Sequence, residues 1–158
     1  MLRRLVAGLA AIVLVVEAAV LVLVHIVLGR TTANQSMSIA GSDPDVMSKA
    51  TYGMGAGMGA FLVLCAVLAA VTAIRDRSPN RFGRIVLISA AVTHGVLGTL
   101  VVGLVGWAAF AAMMLILCLL VLILTLYAAR RDGEGDAGAD NPPQPPTPPF
   151  GELKPTSP

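Results

Sequence analysis

Apolar residues in this chain gather in four long runs, at positions 5–28, 51–74, 85–103 and 107–127, with short polar or glycine-bearing stretches between them. A run of about 20 residues, rising 1.5 Å per residue, crosses roughly 30 Å of hydrocarbon. The pattern therefore predicts four membrane-spanning helices. Positions 85–127 carry no formal charge, which is too long a stretch for one span, and the Gly-Leu-Val-Gly sequence at 103–106 supplies the turn that divides it, with Trp107 as an interfacial anchor. The first run follows Arg3 and Arg4 and exceeds the roughly 7 to 15 apolar residues of a signal peptide, so it reads as a retained span.

The polar stretches add helix starts and an orientation. Within positions 29–50, Asp43 reads as an N-cap, Pro44 as the first helical residue, where no N–H is needed, and Asp45 as a carboxylate against the positive helix end. Ser78-Pro79 reads as the start of the third helix. The short flanks on one side of the spans hold eight basic residues (Arg3, Arg4, Arg75, Arg77, Arg81, Arg84, Arg130, Arg131), against Arg30 and Lys49 on the other. Positive-inside bias puts both termini in the cytoplasm, in agreement with an even number of spans. Positions 132–158 are acidic and then proline-rich, with eight of the ten prolines; such a segment builds no core and is expected to be a disordered tail. The fold expected is an all-α membrane four-helix bundle at 1–131 with that tail attached.

Composition agrees. Of 158 residues 56% are hydrophobic and 13% charged, and the mean hydropathy is +0.83, whereas soluble domains carry about a quarter charged residues. A soluble enzyme is excluded. The net charge of +2 follows membrane topology rather than a nucleic-acid surface. The partner implied is the lipid bilayer, with a second copy or another membrane protein open as a further one.

Chemistry inside the membrane is confined to few residues. An ionisable group in hydrocarbon is a functional candidate by default, and the runs hold Glu17, His25 and His94. At 100° per residue, Glu17 shares a helix face with Ala7, Ala10, Ala11 and Ala18, and His94 shares one with Ala91, Gly95 and Gly98. Small-residue faces are those that meet other helices. Measured from the same side, Glu17 lies about 18 Å deep and His94 about 14 Å deep, so the two are expected to pair. Two readings of the pair are open: an interhelical hydrogen bond that fixes packing, which is preferred, or a proton-carrying site. His25 falls near the outer interface and reads as a residue reaching headgroups or water.

Haem ligation by the two histidines fails because their depths differ by about 16 Å. Zinc lacks ligands at any suitable spacing, so no metal or cofactor is expected. Cys65 and Cys118, near mid-membrane, read as inert thiols. Gly53/Gly57 and Gly55/Gly59 form two overlapping Gly-x-x-x-Gly pairs; with Ala66, Ala70 and Ala73 continuing the Gly55/Gly59 face, the second helix looks like the central packing element, expected to pack through Gly55, Gly59 and Ala66. No phosphate-binding glycine loop or nucleophile elbow is present.

The strings MSIAGSDPDVM and RDRSPNRFGRIVLISAAVTHGVLGTLVVGLVGWAAFAAMM, together with LRRLVAGLAAIVLVVEA at the start, resemble a group of small four-span integral membrane proteins of actinobacteria whose activity is unknown. The resemblance covers roughly positions 2–127. It implies a bacterial plasma-membrane location and marks Glu17, Asp43, Pro44, Asp45, Arg81, Arg84, His94 and Trp107 without giving them roles. Small multidrug-resistance transporters also combine four spans with a glutamate in the first, but their binding chamber is lined with aromatic residues on the inner helices. Here Trp107, Tyr52 and Tyr127 stand at span ends. The function expected is a non-enzymatic accessory or scaffold bundle, with a small proton-coupled transporter or channel using Glu17 and His94 as the alternative.

Overall fold

In a computed structural model of the chain, four helices follow one another: α1 (Leu2–Asn34), α2 (Pro44–Arg75), α3 (Arg81–Leu104) and α4 (Trp107–Ala139). The structure describes residues 1–34, 41 and 43–139, with side chains as far as residue 129. Each helix is long and apolar enough to cross a membrane, α4 over Trp107–Ala129. The fold is the all-α membrane bundle that the apolar runs require. Of the tail expected at 132–158, residues 140–158 lie outside the described residues. Between 132 and 139 the backbone continues α4 to Ala139, and no proline stands in that stretch to end a helix.

Local chemistry sets the helix ends. Asp43 caps α2 from an extended backbone (φ −64°, ψ 127°), its carboxylate accepting the Asp45 N–H at 2.8 Å, with Pro44 in the first turn. At α3 the cap is Asn80, whose Oδ1 accepts from the Gly83 N–H at 2.8 Å. The helix thus starts after Pro79 rather than at the Ser78-Pro79 pair, because Asn80 satisfies an orphan N–H of the first turn. Between α3 and α4 the N–H groups of Val105 and Gly106 both donate to Val101 O, at 2.9 and 3.1 Å. Gly106 then takes φ +113°, a conformation open to glycine and few others, and the chain reverses into Trp107.

The closest neighbours are the hairpin partners, α1 with α2 and α3 with α4; α1 also meets α4, and α2 meets α3 less extensively. Core and surface are separated by size rather than by hydrophobicity. The buried stripe of α1 is Ala7, Ala10, Ala11, Leu14 and Ala18, and that of α3 runs through Leu87, Ala90, Ala91, His94 and Gly98. Larger groups from α4, Leu120, Ile123 and Tyr127, are buried in the same core. Leu5, Leu9, Ile12, Val16 and Leu23 of α1 face outward. Lipid tails are as apolar as leucine, so nothing drives these residues inward, while small residues let helix backbones approach.

The α1–α2 hairpin shows how close that approach is. The Tyr52 ring lies over Gly29, His25 lies over Gly55 and Val22 over Gly59; at each glycine an added Cβ would collide with the facing side chain. The Gly55/Gly59 face of α2 is therefore taken up by α1. Gly53 and Gly57 point elsewhere, and a Cβ on either would meet nothing within 4 Å. On α3, Gly98 makes room for Met114 of α4, whereas Gly95 has no such neighbour. The expectation that α2 is the central packing element needs correction: a small-residue face admits one neighbour intimately, and that neighbour is α1.

Candidate functional site

Glu17 and His94 meet in the interior. His94 Nε2 stands 3.0 Å from both carboxylate oxygens of Glu17, joining α1 to α3, which are diagonal in the bundle rather than adjacent. The side chain of His94 is 3% exposed and that of Glu17 14%. Along their helices they are flanked by buried Leu14 and Ala18 on one side and Ala90 and Ala91 on the other. Buried Cys65 of α2 lies within electrostatic range of the Glu17 carboxylate. Three helices thus contribute to the surroundings of one polar pair.

The second ring nitrogen determines what the pair can hold. His94 Nδ1 is 2.7 Å from Ala90 O, and a carbonyl oxygen only accepts, so Nδ1 carries a proton and donates it. One further proton then serves the contact between Nε2 and Glu17. If it resides on Nε2, the pair is imidazolium and carboxylate; if it resides on Glu17, the pair is neutral imidazole and carboxylic acid. Both arrangements sum to zero charge. Removing that proton would set the Nε2 lone pair against a carboxylate, and adding one would leave a net positive charge in a low-dielectric interior. The geometry favours a neutral unit with a single mobile proton.

The remaining residues singled out by sequence are more dispersed. His25 sits about two helical turns nearer the C-terminal end of α1, with Nδ1 2.8 Å from Leu21 O and its ring against Gly55. It packs against α2 while the side chain stays partly exposed. Asp43, Pro44 and Asp45 are spent on the start of α2. Trp107 is 76% exposed and edge-on to Phe110, with ring centroids 6.0 Å apart. Cys65 and Cys118 are free thiols, the first buried and the second exposed. Among the described residues no three His, Cys, Asp or Glu side chains gather as metal ligands would.

Several polar residues that sequence reasoning passed over tie the bundle together at its ends. Ser48 Oγ donates to Gly29 O at 2.8 Å where α1 and α2 are closest. At the other end Arg4 donates to Ala73 O at 3.0 Å and Ile74 O at 3.4 Å, placing a cation on the carbonyl end of α2. Tyr127, 1% exposed, brings its single O–H to Thr72 O at 3.3 Å and Asp76 Oδ1 at 3.4 Å. The faint signal for these residues is their spacing from small residues on the facing helix: Ser48 and Tyr52 both reach Gly29.

Fold and site together define a multi-pass helical membrane protein with one ionisable pair in its interior among the described residues. Set beside family models, curated proteins and solved structures, the chain matches none.

Proposed function

We propose that this chain is a non-enzymatic accessory or scaffold bundle of a bacterial plasma membrane, with both termini cytoplasmic, in which Glu17 and His94 bolt one helical hairpin to the other. The observation that carries the reading is how the two side chains are engaged: His94 Nε2 lies 3.0 Å from both carboxylate oxygens of Glu17, and Nδ1 donates to Ala90 O. The cavities near the α2–α3 loop and the apolar groove between α1 and α2 have neither Glu17 nor His94 in their walls. An accessory protein needs a rigid body with helix faces offered to the membrane, and the exposed Gly53/Gly57 face of α2 is suited to a close neighbour.

A proton-coupled transporter or channel is the second reading, favoured by the 14% exposure of the Glu17 side chain, through which a proton could enter. Crosslinking in native membranes followed by capture, together with proton flux in proteoliposomes, separates the two. The accessory reading expects a defined membrane-protein neighbour and a flux that Glu17→Gln leaves unchanged. A chain captured alone, with a pH-driven flux that Glu17→Gln abolishes, would replace it with the transport reading.

A further inference from the structure

Where α2 gives way to α3, the structure leaves a cavity of about 260 Å³. Its wall on α2 runs through Leu68, Val71 and Arg75, spaced by three and four residues and so stacked along one helix face. Over about 10 Å of helix axis that wall changes from apolar side chains within the span to a guanidinium at its end. Arg77 and Asn80 close the cavity from the loop. Val71 is 42% exposed, so the apolar portion is open to the lipid around the bundle.

Among the described residues no acidic one lines the cavity. Asp76 lies between the two arginines in sequence, yet it takes a left-handed conformation (φ 48°) that ends α2. Its carboxylate is turned to Tyr127 on α4, and it takes no part in the wall that Arg75 and Arg77 share. The start of α3 adds to the same sign: no acidic residue stands in its first turn, where the helix dipole is positive. Gly83 holds that turn close to α2, since a Cβ there would already stand 3.3 Å from Pro79 Cβ and 3.5 Å from Leu68 Cδ2.

We propose that this cavity is a binding site for an anionic phospholipid, its phosphate held by Arg75 and Arg77 and one acyl chain lying along Leu68 and Val71. The order of the wall, apolar and then cationic along the membrane normal, repeats the order of groups in the lipid itself. Guanidinium pairs recognise phosphate bidentately, and basic pockets at membrane-facing helix ends suit such headgroups. The site is independent of the Glu17–His94 pair and of the accessory role.

The test is native mass spectrometry of the full chain, released from an equal mixture of phosphatidylglycerol and phosphatidylcholine, with melting temperature as the check on folding. One retained phosphatidylglycerol per chain is expected. The double variant Arg75→Gln/Arg77→Gln should lower its retention roughly tenfold or more. Val71→Trp, which fills the apolar end with charge unchanged, should lower it as well. Arg3→Gln/Arg30→Gln, removing the same charge elsewhere, should leave retention intact. Equal retention of both lipids, equal loss in the control variant, an unaffected Val71→Trp, or displacement by soluble glycerol 3-phosphate would each overturn the proposal.

Discussion

The α1–α2 interface and the α1–α3 crossing hold the same helix by opposite means. Against α2, α1 is fixed by what is missing: Gly29, Gly55 and Gly59 leave spaces that Tyr52, His25 and Val22 occupy. Against α3, it is fixed across a diagonal by two long polar side chains that reach one another at 3.0 Å. The first interface gains dispersion contact over many atoms and is continuous along the hairpin. The second is a point contact whose strength comes from a hydrogen bond in a low-dielectric interior, and it fails if either partner is lost. A helix pair needs no polar group to stay together, whereas the two hairpins are also tied by polar contacts, Glu17 to His94 and Tyr127 to Thr72.

The comparison breaks most severely at the point contact. Glu17→Ala leaves His94 Nε2 buried without its partner and should destabilise the bundle by about 3 kcal/mol, read as a fall in unfolding free energy in detergent or bicelles. Glu17→Gln, which can still hydrogen-bond the ring, should retain most of that stability. Gly59→Leu comes next, because the new side chain takes the place of Val22; a loss of about 1–3 kcal/mol is expected from overpacking. Gly57→Leu, on the open face of the same helix, should change intramolecular stability by less than about 0.5 kcal/mol, and a loss equal to that of Gly59→Leu would show that the face assignment is wrong. Tyr127→Phe, which removes one long hydrogen-bonding hydroxyl at the basic end, should cost about 1 kcal/mol, less than Gly59→Leu and more than Gly57→Leu.

These contrasts also explain what the amino-acid sequence discloses and what it withholds. The four spans, the turn at 103–106 and the cap at Asp43 follow from local pattern, since each depends on residues within a few positions of one another. Glu17 and His94 could be paired in advance because each lies on a small-residue face at a computable depth, and few other polar groups compete. Of the two Gly-x-x-x-Gly pairs, Gly55/Gly59 is the one that Ala66, Ala70 and Ala73 continue, and the position of α1 shows that Gly55 and Gly59 are covered and Gly53 and Gly57 are not. Tyr127, Ser48 and Arg4 were illegible. Polar residues at span ends have the same pattern whether they meet water or a neighbouring helix, so their hydrogen bonds depend on tertiary placement. The contact of the His25 ring with Gly55 of α2 depends on tertiary placement in the same way.

The most direct test of the Glu17–His94 bolt is a double-mutant cycle. Unfolding free energies of the parent chain, Glu17→Ala, His94→Ala and the double variant give the coupling between the two side chains once their separate effects are removed. The account predicts a favourable coupling of at least about 1 kcal/mol, with the double variant less destabilised than the sum of the single ones. Additive losses would contradict it, showing that the two residues lie close without holding the hairpins together.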